Sequence, residues 1–243
     1  MAENAFKYSG RLFLIPTTLG NENPLDVIPE KVKNILEGLN DLIVENEKTA
    51  RRHIKQLLPE KNQQALNLQS LNKFTEAIEL PTFLNACKKG LDIGLMSEAG
   101  CPGVADPGAE IVKIAHREGI QVVPLVGPSS ILLAMMASGM NGQCFSFHGY
   151  LPIDKKERKQ EIKFLERLSA EKNQAQIFIE TPYRNNKMLE DLVQNLHPET
   201  RICVACDLTL ASEFVITKTA SDWKKTKTDL HKRPAIFIIQ KEF

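Results

Sequence analysis

Short apolar runs alternate with amphipathic helical segments along the first half of the chain. Four runs have the length of buried strands, and they lie at residues 11–16, 41–44, 93–96 and 121–124. Between them, apolar residues recur at helical spacing, over residues 28–39, 49–58, 71–89 and 107–118. A helical crossover returns the chain to the same end of a sheet, so neighbouring strands run parallel. We therefore predict an α/β fold with a mainly parallel sheet in its first domain.

A second set of elements follows the turn signal at residues 126–128. Strands are predicted at 145–147, 176–179, 202–205, 212–218 and 235–240, and helices at 127–139, 155–169 and 183–196. The last two strands alternate apolar and polar residues, which is typical of antiparallel pairing. We predict a mixed sheet here, and two α/β domains over residues 1–125 and 126–243.

Composition narrows the classes of function. Lys and Arg number 31 against 30 Asp and Glu, so the molecule as a whole is no obvious binder of polyanions. No apolar run approaches the roughly 20 residues of a membrane span, and we expect no membrane association. Five scattered cysteines do not resemble a disulfide framework, which favours the cytoplasm. The five histidines fall on separate elements, and Cys203 and Cys206 point to opposite faces of a strand, so no metal is expected.

The segment SEAGCPGVADPG, residues 97–108, follows a strand and leads into a helix. In open parallel sheets, ligands bind just past the carboxyl ends of strands. Glycine and alanine there allow backbone N–H groups to approach a ligand closely. The segment lacks the lysine of a phosphate-binding loop, and an ordinary connecting loop is an equally good interpretation.

Two shorter segments also lie at the junction between a predicted strand and a predicted helix. In VGPSS, residues 126–130, the serine hydroxyls suit helix capping, and a ligand role is the less favoured alternative. In ETPYR, residues 180–184, Glu180 could act as a base, anchor a ligand, or favour the N-terminus of the next helix.

Basic residues concentrate in residues 154–163 and 222–233. Both segments also contain acids, so a solvated helix face is the better interpretation. Contact with RNA phosphates is the alternative, because it needs only positioned lysines and arginines.

Seven motifs occur in a fixed order along residues 12–213. They are IPTTLGN, VENEKTARR, LMSEAGCPGVADPG, GIQVVPLVGPSS, FSFHGYLP, FIETPYR and RICVACDLT. In this order they resemble the tetrapyrrole (corrin/porphyrin) methylase superfamily, and within it the branch that methylates ribose 2′-oxygens of small-subunit ribosomal RNA. The sequence ends at Phe243 without the small C-terminal extension typical of that branch.

The resemblance implies an S-adenosylmethionine-dependent methyltransferase with its cofactor between two α/β domains, an RNA substrate and a homodimer. By motif position, the implied cofactor-binding residues are Pro16, Thr18, Gly20, Ser97, Glu98, Ala99, Gly100, Pro102, Ser129, Ser130, Glu180, Thr181, Pro182, Pro234 and Ala235. The implied substrate-binding residues are Lys48, Arg51, Lys155, Arg158 and Arg184. No catalytic residue is assigned, because methyl transfer depends mainly on alignment of the reacting atoms.

Several positions depart from the pattern of that branch. Glu98 replaces an aspartate, Cys101 a threonine, Asp207 an arginine and Leu210 a lysine. A glycine-and-acid turn before the last strand is replaced by residues 232–235. These changes keep two alternatives open: a methyltransferase of small, tetrapyrrole-like molecules, and a degenerate paralogue that binds cofactor or RNA without catalysis.

Overall fold

A computed structural model describes residues 6–72 and 74–242 of the chain. It consists of two compact units, Met1–Ser129 and Ser130–Phe243. The sequence placed the boundary four residues earlier, at the turn that precedes Ser129. In the part of the chain that the structure describes, no helix is long and apolar enough to cross a membrane.

The first unit is built on a five-stranded sheet in which all strands are parallel, in the order β3-β2-β4-β1-β5. The strands are β1 (Arg11–Ile15), β2 (Asp41–Val44), β3 (Asn67–Ser70), β4 (Ile93–Met96) and β5 (Gln121–Pro124). The helices are α1 (Pro24–Val27), α2 (Glu30–Gly38), α3 (Glu47–Leu57), α4 (Asn85–Lys88) and α5 (Gly108–Glu118). The predicted parallel α/β sheet is confirmed.

Apolar side chains cover both faces of this sheet. Leu36 of α2 and Ile54 of α3 pack with Leu42 on one face, and Ile111 of α5 packs with Leu12 and Ile43 on the other. Strand β4 is buried at every position, as expected for the centre of a parallel sheet covered by helices. Helix α5 ends at Gly119, whose φ of 74° is the left-handed conformation predicted for a helix-ending glycine.

The helix predicted over residues 71–89 is wrong. The chain forms β3 just before it, then turns, a 3-10 helix at Leu80–Leu84 and only one short α-helix, α4. The Asn72 side chain accepts from the Phe74 N–H at 2.9 Å, an arrangement that competes with helix formation. Pro81 then interrupts any longer helix. Lys73, within the predicted range, lies outside the described residues.

The second unit has a mixed five-stranded sheet in the order β6-β7-β10-β8-β9. Strands β6 and β7 are parallel, and the other neighbours are antiparallel, so the predicted mixed sheet is confirmed. The strands are β6 (Phe145–Tyr150), β7 (Ala175–Ile179), β8 (Arg201–Cys206), β9 (Phe214–Thr219) and β10 (Ala235–Gln240). The helices are α6 (Ser130–Ser138), α7 (Lys155–Lys172), α8 (Asn185–Asn195) and α9 (Ala220–Trp223).

Strand β10 forms the centre of the second unit. All six of its residues are buried, and Phe237 stacks on Phe178 of β7 with ring centroids 5.9 Å apart. Trp223 closes the core from α9, and its indole N–H donates to the Ile202 carbonyl at 2.9 Å. This rigid sheet fixes the positions of the loops at the ends of β7, β8 and β10.

Candidate functional site

In the first unit, the loops that follow β1 and β4 are bonded to each other. The Thr17 N–H donates to the Gly100 carbonyl at 2.9 Å, and the Thr17 hydroxyl donates to the Ser97 carbonyl at 3.4 Å. Strands β1 and β4 are neighbours in the sheet, so their carboxyl ends present both loops at one edge. The structure thus brings together the first two predicted cofactor segments.

The loop after β5 joins the same group. The Cys101 thiol donates to the Pro128 carbonyl at 3.4 Å. A Cβ atom at Gly127 would lie 2.1 Å from the Cβ of Pro16, so only glycine allows these two segments to meet so closely. Ser129 lies two residues after Gly127, is the last residue of the first unit, and is half-buried.

The Ser97 loop presents mainly backbone groups. Gly100 has a φ of +74°, and the Ser97 hydroxyl is directed at the loop itself, donating to the Ala99 carbonyl at 3.2 Å. The Thr18 hydroxyl likewise donates to the Gly20 carbonyl at 2.8 Å. With these side chains turned inward, ligand recognition at this edge would depend on backbone N–H and carbonyl groups and on shape.

Two carboxylates, those of Glu45 and Asp106, support this loop. The Glu98 N–H donates to Glu45 at 3.0 Å, and Asp106 accepts from the Gly103 and Gly108 N–H groups at 2.9 and 2.7 Å. Burial raises the pKa of Glu45, as do the nearby Asp106 and Glu98 carboxylates, and burial also raises the pKa of Asp106. These acids hold the loop in shape from behind.

In the second unit, Glu180 follows β7 with a side chain that is 2% exposed. Its carboxylate accepts from the Thr181 N–H at 2.6 Å and from the Arg184 guanidinium at 2.6 Å. These contacts favour a role outside the three that the sequence left open, that of a residue that shapes its own loop. A general base would need a carboxylate less fully engaged by its own loop.

Pro234 and Ala235 lie beside that loop, because β10 is the neighbour of β7 and Ile236 pairs with Ile179. The Pro234 carbonyl accepts from the Asp207 N–H at 3.0 Å. The predicted second-unit segments are therefore adjacent within this unit. Ser130 starts α6 and is half-buried.

The five predicted substrate-binding cations differ in their surroundings. Arg158 is buried and its guanidinium bonds Asp191 at 2.6 Å, while Arg184 is paired with Glu180. Arg51 donates to the Gln63 carbonyl at 2.6 Å. Lys48 and Lys155 are exposed, and within residues 6–72 and 74–242 their ammonium groups have no ion-pair partner. The two lysines are thus the available cations of the set.

Metal ligation finds no support within the described residues, which contain no group of three or more His, Cys, Asp or Glu side chains able to hold an ion. Cys203 and Cys206 are buried as free thiols in β8, and burial raises the pKa of Cys206 to about 11.

Sequence reasoning missed several residues that organise the two edges. Asp106 was signalled by the DPG turn, since aspartate before such a turn bonds the backbone just beyond it. For Glu45 and Thr17, the only indication in the sequence is that each comes just after the end of a predicted strand. Arg233, which bonds Asp207 at 2.8 Å, lay within a segment that we interpreted simply as basic.

Comparisons with known proteins agree on one family. The model of the Tetrapyrrole (Corrin/Porphyrin) Methylases matches residues 12–223. A protein of Vibrio cholerae named ribosomal RNA small subunit methyltransferase I is 31% identical over 84% of this chain and 67% of its own length. The protein of that name from Buchnera aphidicola subsp. Schizaphis graminum is 30% identical over 97% of this chain and 80% of its own.

Solved structures show the same fold. The methyltransferase CobJ has a TM-score of 0.63 at 16% identity, with 95% of this chain and 94% of that chain covered. The uroporphyrin-III C-methyltransferase from Thermus thermophilus, solved with S-adenosyl homocysteine, has a TM-score of 0.57 at 16% identity, with 96% and 98% covered.

Proposed function

The chain belongs to the tetrapyrrole (corrin/porphyrin) methylases, S-adenosylmethionine-dependent methyltransferases, and we propose that its methyl acceptor is small-subunit ribosomal RNA. One observation carries this proposal. Relatives that match as much as 97% of the chain at about 30% identity are named ribosomal RNA small subunit methyltransferase I. A ribose 2′-oxygen is the proposed acceptor atom.

We propose that the cofactor is held in the first unit by the bonded loops Pro16–Gly20 and Ser97–Pro102 together with Ser129. This edge fits the cofactor because Gly100 and Ala99 leave the backbone open while Ser97 and Thr18 turn their hydroxyls inward. The half-buried carboxylates of Glu45 and Asp106 bond the backbone N–H groups of the loop, so we expect the binding surface to exist before the ligand arrives.

The second unit is proposed to contribute the loop after β7 and the start of β10, with Ser130 from α6. Glu180 supports its own loop through Thr181 and Arg184, leaving Thr181 and Pro182 to face the ligand. Pro234 and Ala235 supply backbone groups beside it.

S-adenosylmethionine supplies a methyl group on a sulfonium, which favours transfer to an oxygen aligned with the S–CH3 bond. The protein therefore has to align and desolvate the acceptor. Lys48 and Lys155, the exposed cations of the predicted set, are proposed to hold RNA phosphates. Arg158 and Arg184 have ion-pair partners within their own unit, and we assign them to positioning the surrounding loops.

Methyl transfer tests the acceptor directly. Purified protein with radiolabelled S-adenosylmethionine should label the RNA of small ribosomal subunits and leave a protein-free metabolite extract unlabelled. Labelling of the extract alone would establish the small-molecule alternative, which the fold of the tetrapyrrole enzymes permits. Calorimetric binding of the cofactor with no transfer to either substrate would establish the degenerate-paralogue alternative, which the aspartate at position 207 motivates.

We also propose a cytoplasmic homodimer. Five free thiols suit a reducing compartment. Helix α6 has an apolar sequence, SILLAMMAS, yet exposes Leu132 and Met136 one turn apart, a surface that a second copy could cover. Light scattering should give twice the monomer mass, and Met136→Glu should shift it to the monomer.

A further inference from the structure

Tyr183 exposes 70% of its surface immediately after the Glu180 loop. Two other side chains flank its ring. His231 meets it edge to face, with centroids 5.9 Å apart and planes at 76°, and the Lys232 Nζ lies 5.9 Å from the ring centroid. We call Tyr183, His231 and Lys232 the Tyr183 platform.

The segment that carries His231 and Lys232 is fastened to the start of α8. The Lys232 N–H donates to the Pro182 carbonyl at 3.0 Å, and the Leu230 N–H donates to the Asn186 side chain at 2.7 Å. Asn185, fully buried, donates to the Arg233 carbonyl at 2.6 Å. The platform is therefore preorganised, and a ligand would not have to order it.

Lys232 has a φ of +60°. This left-handed conformation is unfavourable for a lysine and easy for glycine. Strained residues of this kind persist where the surroundings over-determine them, and they cluster at functional sites. Here the strained residue places its ammonium beside an exposed ring. In residues 6–72 and 74–242 that ammonium has no carboxylate partner.

We propose that the Tyr183 platform binds one nucleotide of a single-stranded RNA substrate, an inference that rests on the proposed function. The open face of Tyr183 would stack on the base. Every base has a π-face, and aromatic side chains are the usual stacking surface for unpaired RNA. Lys232 would meet the phosphate next to that base, which is the charge complement of an ammonium.

The cofactor also contains a nucleobase, so the base that stacks on Tyr183 could belong either to RNA or to S-adenosylmethionine. The charge of Lys232 favours RNA. S-adenosylmethionine carries no phosphate, and its single carboxylate is on the methionine part, at the opposite end of the molecule from the adenine. A lysine beside a ring that stacked on this adenine would therefore have no anionic group of the cofactor next to it. An RNA nucleotide presents base and phosphate together. Arg184 nearby is already neutralised by Glu180, leaving Lys232 as the cation next to the ring.

Fluorescence anisotropy with a labelled single-stranded RNA of mixed sequence tests the platform. Tyr183→Ala should weaken binding about tenfold, which lies within the range that loss of one stacked base produces. Tyr183→Phe keeps the ring and should stay within about twofold of the wild type. Lys232→Gly removes the cation while relieving the backbone, and it should lower the dependence of log affinity on log salt by about 0.7.

Phe164→Ala is the matched control, because Phe164 is an exposed ring beside a cation, Arg167, in the same unit. It should bind RNA as the wild type does. Equal RNA affinity for Tyr183→Ala and wild type would overturn the platform, as would equal losses for Phe164→Ala and Tyr183→Ala. A loss of S-adenosyl homocysteine affinity in calorimetry, with RNA affinity unchanged, would assign the ring to the cofactor and also overturn it.

The two proposals fail separately. If the wild type labels small subunits but Tyr183→Ala binds RNA normally, the platform alone is overturned. If the wild type labels no ribosomal RNA while Tyr183→Ala still reduces RNA binding about tenfold, the platform is supported and the proposed acceptor is overturned.

Discussion

Arg233 binds Asp207 across the end of the second sheet, with Nε and Nη2 both 2.8 Å from the carboxylate Oδ2. The Ser212 hydroxyl donates to the same oxygen at 2.7 Å. This acid and this base are thus partners, and Asp207 has a structural function of its own.

This pair predicts a graded loss of stability. Asp207→Ala should lower the free energy of unfolding by about 1.5–3 kcal/mol, because it removes charged hydrogen bonds at a buried site. Asp207→Asn should lose less, since its amide oxygen still accepts and asparagine tolerates the φ of +52° at this position. Urea unfolding would measure both. In a double-mutant cycle, Arg233→Ala should add less than its own loss to Asp207→Ala, and strict additivity would mean that the two residues are uncoupled.

Gly127 offers a test of the first-unit edge. In Gly127→Ala the new methyl would lie 2.1 Å from the Cβ of Pro16, and a proline ring has little freedom to move aside. We expect a loss of about 1–3 kcal/mol in stability and at least tenfold weaker binding of S-adenosyl homocysteine by calorimetry. Gly38→Ala is the control, because nothing lies within 4 Å of its added Cβ. Normal affinity in Gly127→Ala would remove this edge from the proposed cofactor site.

Arg158 and Lys155 separate a buried cation from an exposed one on the same helix. Arg158→Ala should destabilise the protein by about 1.5–3 kcal/mol, since it removes charged hydrogen bonds to the buried Asp191 carboxylate and leaves Lys187 as its remaining ion-pair partner. Lys155→Ala should change stability by no more than about 0.5 kcal/mol and should weaken RNA binding. Chemical unfolding would measure the stability of each variant, and fluorescence anisotropy its affinity for RNA. If Lys155→Ala lost stability while Arg158→Ala lost only RNA binding, the structural role of Arg158 and the RNA-binding role of Lys155 would both be wrong.

The ion pair between Arg158 and Asp191 also predicts how the stability of the protein responds to acid. Although burial opposes it, hydrogen bonds from Lys187 and Arg158 hold the pKa of Asp191 below its usual value of 3.8. The folded state therefore releases this proton more readily than the unfolded state, and the stabilisation is complete above pH 4. It should be lost as the pH falls below 3.8 through the folded pKa. Urea unfolding across pH 2–5 should show this loss in the wild type, and a smaller one in Asp191→Asn.

Burial decides which parts of the fold the sequence could predict. The buried strands β2 and β4 were predicted to the residue, because continuous apolar runs between turn signals have few other uses. The bounds of β5 and β10 were also predicted to the residue, although β10 is buried at all six positions and does not alternate as the sequence suggested. The polar edge strand β3 was missed, and turn chemistry at Asn72 and Pro81 overrode the helical spacing of residues 71–89. A local sequence pattern does not show ion pairs between residues that are far apart in the chain. Lys155 and Arg158 therefore looked equivalent in one charged helix, although only Arg158 pairs with Asp191. The partnership of Asp207 with Arg233 was hidden for the same reason.

His53 is a buried titratable group on α3, and it predicts a second pH dependence, at a less acidic pH. Burial lowers its pKa from 6.5 to about 4, with Glu22 opposing and Arg52 adding to the shift. Between these values the unfolded state binds a proton that the folded state does not, so stability is complete above pH 6.5. It should fall by about 1.4 kcal/mol per pH unit as the pH drops toward 4. Among the described residues its Nε2 has no hydrogen-bond partner, so His53→Leu should match or exceed wild-type stability at pH 7 and abolish this slope. His116→Gln, at an exposed position on α5, should retain it, and a wild-type slope in His53→Leu would show that another group titrates.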